Sequence, residues 1–203
     1  QAQHKWEKCL HNKCHKNNME EEIDNMSPQQ YVARKNLEEA MKKAQAEDLE
    51  NLAMAVALEA RGEKEEGMFA VARSIINRKR MIDDEEVLPS TFMPGSTNEN
   101  PTFMDLLSAK NQYSVVDEDT KEFVQQKSPV TDKDLELARS MIIFAQSDDS
   151  AQLIAEAFKI DPKILKATGF RTKEADYDAS QDVDTFSVGN HQFNLAGVED
   201  AEE

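Results

Sequence analysis

The stretch from Leu52 to Arg80, LAMAVALEARGEKEEGMFAVARSIINRKR, constrains this chain most. Two apolar helical patterns meet at Gly62, and Glu59, Glu63, Glu65 and Glu66 crowd the joint. In the first pattern Leu52, Ala53, Val56, Ala57 and Ala60 recur at helical spacing, so one face is built for burial. In the second, from about Lys64 to Arg80, Met68, Phe69, Val71, Ala72, Ile75 and Ile76 form another stripe. The closing Asn77, Arg78, Lys79 and Arg80 suit the carbonyl end of a helix. Asn77 and Arg78 read equally well as positioning residues for a site.

Among the four carboxylates Glu59 stands apart. It falls at the edge of the apolar face, seven residues after Leu52 and three after Val56. It also lies in the last turn before Gly62, where the carbonyl ends disfavour negative charge. A carboxyl group held there tends to keep its proton, as a general acid must at neutral pH. Glu63, Glu65 and Glu66 read more simply as an acidic patch on a solvated helix end. Glu63, one turn beyond Glu59, is the candidate second carboxylate, in a more exposed position.

The chain has 203 residues, enough for one substantial core and a small appendage. Its 40 acidic residues against 24 basic ones give a net charge of −16, which argues against nucleic acid as a general ligand. No apolar run approaches the roughly 20 residues of a membrane span, and none reads as a secretory signal. The expected organisation is a polar N-terminal arm and helix over 1–47, a main domain over 48–196 and an acidic tail over 197–203.

The arm holds Cys9 and Cys14 with His4, His11 and His15. The ligand types fit a metal, but their spacing matches no common zinc or haem pattern, so no metal and no cofactor are expected. Free thiols or a Cys9–Cys14 bridge are the simpler readings. A capping box at Ser27 and Gln30, with Pro28 at the first helical position and Met26 as a staple on Tyr31, predicts the start of a long helix. Tyr31, Leu37, Met41 and Ala44 give that helix a thin apolar stripe, so it reads as solvated, with a docking role for a partner as the alternative.

Further on, Asn100-Pro101 predicts a short helix with Phe103, Met104, Leu106 and Leu107 as core residues. Thr131 to Asp134 start another, whose Leu135, Ala138, Ile142 and Ala145 face inward. A third spans Ala151 to Ile160, and Asp161-Pro162 begins a turn. From Thr185 to Leu195 the period becomes alternating. A hairpin turning at Gly189-Asn190 would pair Val188 with His191 and Phe186 with Phe193. His191 then shares a face with two phenylalanines, as a core or hinge histidine does.

The residues Ala57-Leu58-Glu59-Ala60-Arg61-Gly62-Glu63, followed by Ala70-Val71-Ala72-Arg73-Ser74-Ile75-Ile76-Asn77-Arg78, resemble the signature of the spore-cortex-lytic cell wall hydrolases. Gln112-Tyr113-Ser114 is similar to that family's Gln-aromatic-Ser motif, Ala167-Thr168 to its Ala-Thr pair, and Val188 to Phe193 to its closing Gly-Asn-His-x-Phe segment. The resemblance spans about Asp48 to Leu195 in one order. It implies a mainly α, lysozyme-like (α+β) domain with a small C-terminal β-hairpin. It also implies Glu59 as catalytic acid, with Gln112, Tyr113, Ser114, Thr168, Asn77 and His191 as substrate contacts. The chain departs from the family at Gly169 and Phe170, where a histidine and then an aromatic are usual, and in the long loop from Ile82 to Pro101.

The activity implied is cleavage of the peptidoglycan glycan strand, of muramidase or lytic transglycosylase type, by a single glutamate. Most glycosidases use two carboxylates. A lytic transglycosylase needs one, because the muramyl sugar's own hydroxyl attacks. The expected place is outside the cytoplasm at the bacterial cell wall, or in a phage virion. A structural or docking component of a phage tail or ejection assembly, bound to virion proteins through the N-terminal arm, is the alternative.

Overall fold

A computed structural model describes residues 28–109, 113–124, 129–172 and 185–195. The protein is mainly helical, with a small antiparallel sheet near its C-terminus. The helices are α1 (Pro28–Glu59), α2 (Glu65–Asp83), α3 (Phe103–Leu107), α4 (Asp132–Ala145) and α5 (Asp148–Phe158). Short 3-10 turns cover Pro89–Thr91 and Pro162–Leu165. The strands are β1 (Gly169–Thr172), β2 (Phe186–Val188) and β3 (His191–Asn194), in the order β1-β3-β2. No helix among the described residues is long and apolar enough to cross a membrane.

The chain divides into two units, Gln1–Ala46 and Glu47–Glu203. In the first, the described part is the leading stretch of α1. Leu37 and Met41 of the thin apolar stripe are exposed there, as in a solvated helix, and so is Val32. Arg34 and Glu38 pair one turn apart at 3.1 Å, a surface contact of small worth. Ser27 and Met26 of the expected cap, and the cysteines and histidines of the arm, lie outside the described residues.

The second unit holds the core, and its axis is α2. Met68, Phe69, Val71, Ala72, Ile75 and Ile76 are buried as expected. So are Arg73, Ser74, Asn77 and Arg78, so this helix is enclosed rather than one-sided. A helix surrounded in this way must find partners for its polar side chains within the protein. It finds them at backbone carbonyls. Arg73 Nη1 donates to Ala145 O at 2.8 Å, and Nη2 donates to Leu165 O at 3.0 Å and Asp148 Oδ1 at 2.6 Å. Asn77 Nδ2 donates to Leu165 O at 3.1 Å and Ala167 O at 2.8 Å, and Arg78 Nε donates to Thr168 O. Three side chains of one helix thus gather the end of α4, the start of α5 and the segment that leads into β1.

Helix α4 starts at the predicted capping box, where Thr131 and Asp134 satisfy each other's backbone N–H groups. Helix α5 begins at Asp148, earlier than the expected Ala151, because Ser147 caps it and its hydroxyl accepts the Ser150 N–H. At α3 the cap is Thr102, boxed with Asp105, rather than Asn100-Pro101. A carboxylate from α1 reinforces it: Asp48 Oδ1 accepts the Phe103 N–H at 2.6 Å. Burial raises the Asp48 pKa even though backbone N–H groups of Phe103 and Met104 pull the other way.

The hairpin forms in the expected register, Val188 opposite His191 and Phe186 opposite Phe193. What the alternating pattern did not predict is β1, which pairs with β3 from Gly169 opposite Asn194 to Thr172 opposite His191. Gly169 has a steric reason to be glycine: a Cβ there would overlap the Asn194 side chain. A histidine at this place would have to displace that neighbour, so the departure at Gly169 goes with the closeness of β1 to β3.

Candidate active site

Glu59 is the last residue of α1, and its neighbours Val56, Ala57 and Ala60 are buried. The side chain is half-buried. Burial lifts its pKa from 4.5 to about 7, and a backbone hydrogen bond from Ser114 opposes the rise without cancelling it. The physical cause is therefore desolvation, the apolar wall in the sequence argument, more than the helix end. At neutral pH the protonated and ionised forms of Glu59 are both well populated, which suits a group that must give a proton and then take one.

Tyr113 forms the adjoining wall. Its ring is buried, its phenol pKa is raised by burial first, and the nearby Glu59 carboxyl adds to that rise. The Arg78 guanidinium lies 5.3 Å from the centre of the Tyr113 ring and 5.4 Å from that of Phe92. On the sheet side Phe170 packs 5.8 Å from Tyr113, and its ring meets His191 edge-on at 5.5 Å. Phe193 completes the cluster against Phe170, Phe186 and His191. The expectation that His191 shares a face with two phenylalanines holds, with Phe170 of the unforeseen β1 as a third ring.

The sequence-predicted site residues do not all stand in one place. Tyr113 and Ser114 adjoin Glu59, Ser114 through its main chain. Asn77 and Thr168 are buried in the seam between α2 and the segment before β1, and they hold that seam by hydrogen bonds. Thr168 N–H also donates to Asn194 O at 3.1 Å. His191 is buried beside the aromatic rings. Gln112 lies outside the described residues.

Glu63 is not the exposed second carboxylate that the sequence suggests. Its place in an acidic run suggests exposure, but its side chain is only 7% exposed. Oε1 accepts the Asn190 N–H at 3.0 Å and lies 3.5 Å from His191 Nδ1. The carboxylate is enclosed by the hairpin turn, where Gly189 has φ +56° and a Cβ would overlap Glu63 Oε2. Sequence spacing cannot reveal this, because the partners lie 127 residues downstream. Replacing Gly189 by Ala is expected to cost about 1–3 kcal/mol, from the left-handed backbone and the clash together, in urea unfolding.

Two open clefts lie elsewhere. One of about 450 Å³ is lined by Arg73, Asn77, Arg80 and Asp148 among others, and one of about 390 Å³ by Met93, Ser96, Asn98, Asp105 and Lys121 among others. Glu59 lines neither. Asp148 and Asp105 in these clefts are held ionised by basic neighbours, whereas Glu59 is the carboxyl whose proton affinity burial raises towards neutrality, which weighs more than cleft size. Among the described residues no group of three or more His, Cys, Asp or Glu could hold a metal ion. Comparison with protein-family models, curated proteins and solved structures gives no significant match to this chain.

Proposed function

We propose that the protein cleaves the glycan strand of peptidoglycan between N-acetylmuramic acid and N-acetylglucosamine, with Glu59 as the single acid and then base. The observation that carries this reading is the Glu59 carboxyl, half-buried beside Tyr113 with its pKa raised to about 7. Protonated Glu59 gives its proton to the glycosidic oxygen as the bond to the muramyl carbon breaks. The resulting carboxylate takes a proton from the attacking hydroxyl. If that hydroxyl is the muramyl sugar's own, the product is an anhydro end; if it is water, a reducing end forms. The resemblance in the order of motifs from Ala57 to Phe193 supports the same chemistry on a lysozyme-like domain.

Glu63 bears on which product forms. Its carboxylate is taken up by the Asn190 amide and stands beside His191, so it is not placed as a free second nucleophile. This supports a one-carboxylate scheme, in which the anhydro product is the expected one. Purified peptidoglycan digested by the protein at about pH 6 and analysed by mass spectrometry tests this. Muropeptides short by one water at the muramyl end are expected. Reducing muramyl ends would make the protein a hydrolase, and undigested walls would overturn the reading.

Such a substrate is met outside the cytoplasm, at the wall itself or where a virion delivers its proteins. Exposed Val32, Leu37 and Met41 on the leading part of α1 favour a second reading, a docking component of a virion assembly. Assembly with virion proteins in size-exclusion chromatography, without wall cleavage, would select it.

A further inference from the structure

The sequence offers Glu63 as a second carboxylate, and the fold uses it differently. Its oxygens face the Asn190 amide, the Gly189 backbone and the His191 ring. On its other side Gly67 stands so close that a Cβ there would crowd the Glu63 side chain. The carboxylate is thus clasped between the helix joint and the hairpin turn. From that turn a run of contacts leads back to the acid: His191 on Phe170, Phe170 on Tyr113, and Tyr113 beside Glu59, with the Ser114 amide on the Glu59 carboxyl.

We propose that Glu63 is a positioning residue of the acid site: by clasping the Gly189-Asn190 turn it holds the aromatic face of the sheet against Tyr113 and keeps the wall beside Glu59 dry. The inference rests on Glu59 being the acid. Removing the clasp lets the hairpin move outward, and water then reaches the Glu59 carboxyl. Among the described residues, the groups that face Glu59 are the Tyr113 phenol and the Ser114 amide, with the Arg78 guanidinium behind the Tyr113 ring. Those that face Glu63, again among the described residues, are the Asn190 amide, the Gly189 backbone and His191. A carboxyl proton at Glu59 is therefore governed mainly by solvent access, the quantity that the clasp controls.

The test follows the Glu59 carboxyl directly by carbon NMR titration of the full chain, alongside the pH profile of peptidoglycan cleavage. Glu63→Gln keeps an acceptor for the Asn190 amide and should leave the Glu59 midpoint within about 0.3 of the parent's. Glu63→Ala removes the acceptor. Its Glu59 midpoint should fall by about one pH unit or more, with the alkaline limb of activity following it. Above pH 7 turnover should drop about tenfold, since a fall of one pH unit leaves about a tenth as much protonated Glu59. A folded Glu63→Ala protein with the parent's Glu59 midpoint would overturn the proposal and leave Glu63 a turn stabiliser only. If Glu63→Ala does not fold, Gly189→Ala pushes the turn off the same carboxylate and is judged by the same midpoint. A parent that cleaves no wall would refute the enzyme reading alone, because the titration still reports on the clasp.

Discussion

Replacing Glu59 by Gln is expected to abolish wall cleavage and, at pH 8, to make the protein harder to unfold. The two effects have one origin. Gln keeps the volume of the side chain and an oxygen for the Ser114 N–H, but it neither donates an acidic proton nor acquires a charge. Loss of the acid should lower the cleavage rate by a factor on the order of 10²–10⁴. The stability gain follows from linkage. In the unfolded chain the carboxyl ionises around 4.5, whereas in the fold it holds its proton to about 7. Between those values the native state binds more protons than the unfolded state, so stability falls as pH rises and levels off above about 7.

The full separation is worth about 3 kcal/mol, and the residual solvent contact of Glu59 reduces that to about 1–3 kcal/mol. Glu59→Gln escapes this loss. Urea unfolding at pH 4, where the carboxyl is mostly protonated in both states, should put the two proteins within about 0.5 kcal/mol of each other. At pH 8 the variant should be the more stable one. An equal offset at both pH values would mean that burial does not set the proton affinity of Glu59. A stable variant that still clears purified walls would remove Glu59 from the chemistry.

The local pattern reveals much of this site, and long-range contacts explain the remainder. Glu59 is legible because its neighbours at three and seven residues are apolar, and helical spacing turns those intervals into one face. The register of β2 and β3 is legible because Gly189-Asn190 fixes the turn and the alternation fixes the faces. Strand β1 is not, since Gly169 to Thr172 carries little alternation and is strand only because β3 lies beside it. Glu63 misleads for a related reason. An acidic run is ordinarily solvated, and only tertiary contact with Asn190 and His191 encloses this member of it. The polar residues of α2 also follow this rule: Arg73 and Asn77 look like the outer face of an amphipathic helix until α4, α5 and the segment before β1 cover them.

Arg73→Met is expected to be strongly destabilising, at about 2–4 kcal/mol from its lost buried hydrogen bonds. The Arg73 side chain is 3% exposed and joins three pieces of chain at once, the last carbonyl of α4, the first residue of α5 and the Leu165 carbonyl. Met keeps much of the apolar stem but leaves the Ala145 carbonyl without that donor, and each buried acceptor so deprived costs about 1–3 kcal/mol. Leu165 fares better, because Asn77 also donates to its carbonyl. Lys should not rescue the site, since one ammonium on a flexible stem cannot reproduce a planar fork aimed at three oxygens.

Asp148 supplies the comparison that separates hydrogen bonding from charge. Its carboxylate is shared with Arg80 at 2.5 Å, and Arg80 and Arg73 together hold its pKa far below the usual carboxylate range. That contribution is present above about pH 4 and is lost as pH falls further. Asp148 is 63% exposed, so solvent screens the pair and Asp148→Asn should cost much less than Arg73→Met. Burial lowers the Arg73 pKa while Asp148 raises it, yet an arginine remains charged throughout the accessible range. Chemical denaturation at pH 7 of Arg73→Met in the parent and in the Asp148→Asn background decides the matter. If the Arg73→Met deficit is the same in both backgrounds, the carbonyl bonds carry it; if it largely disappears in the Asp148→Asn background, the ion pair does.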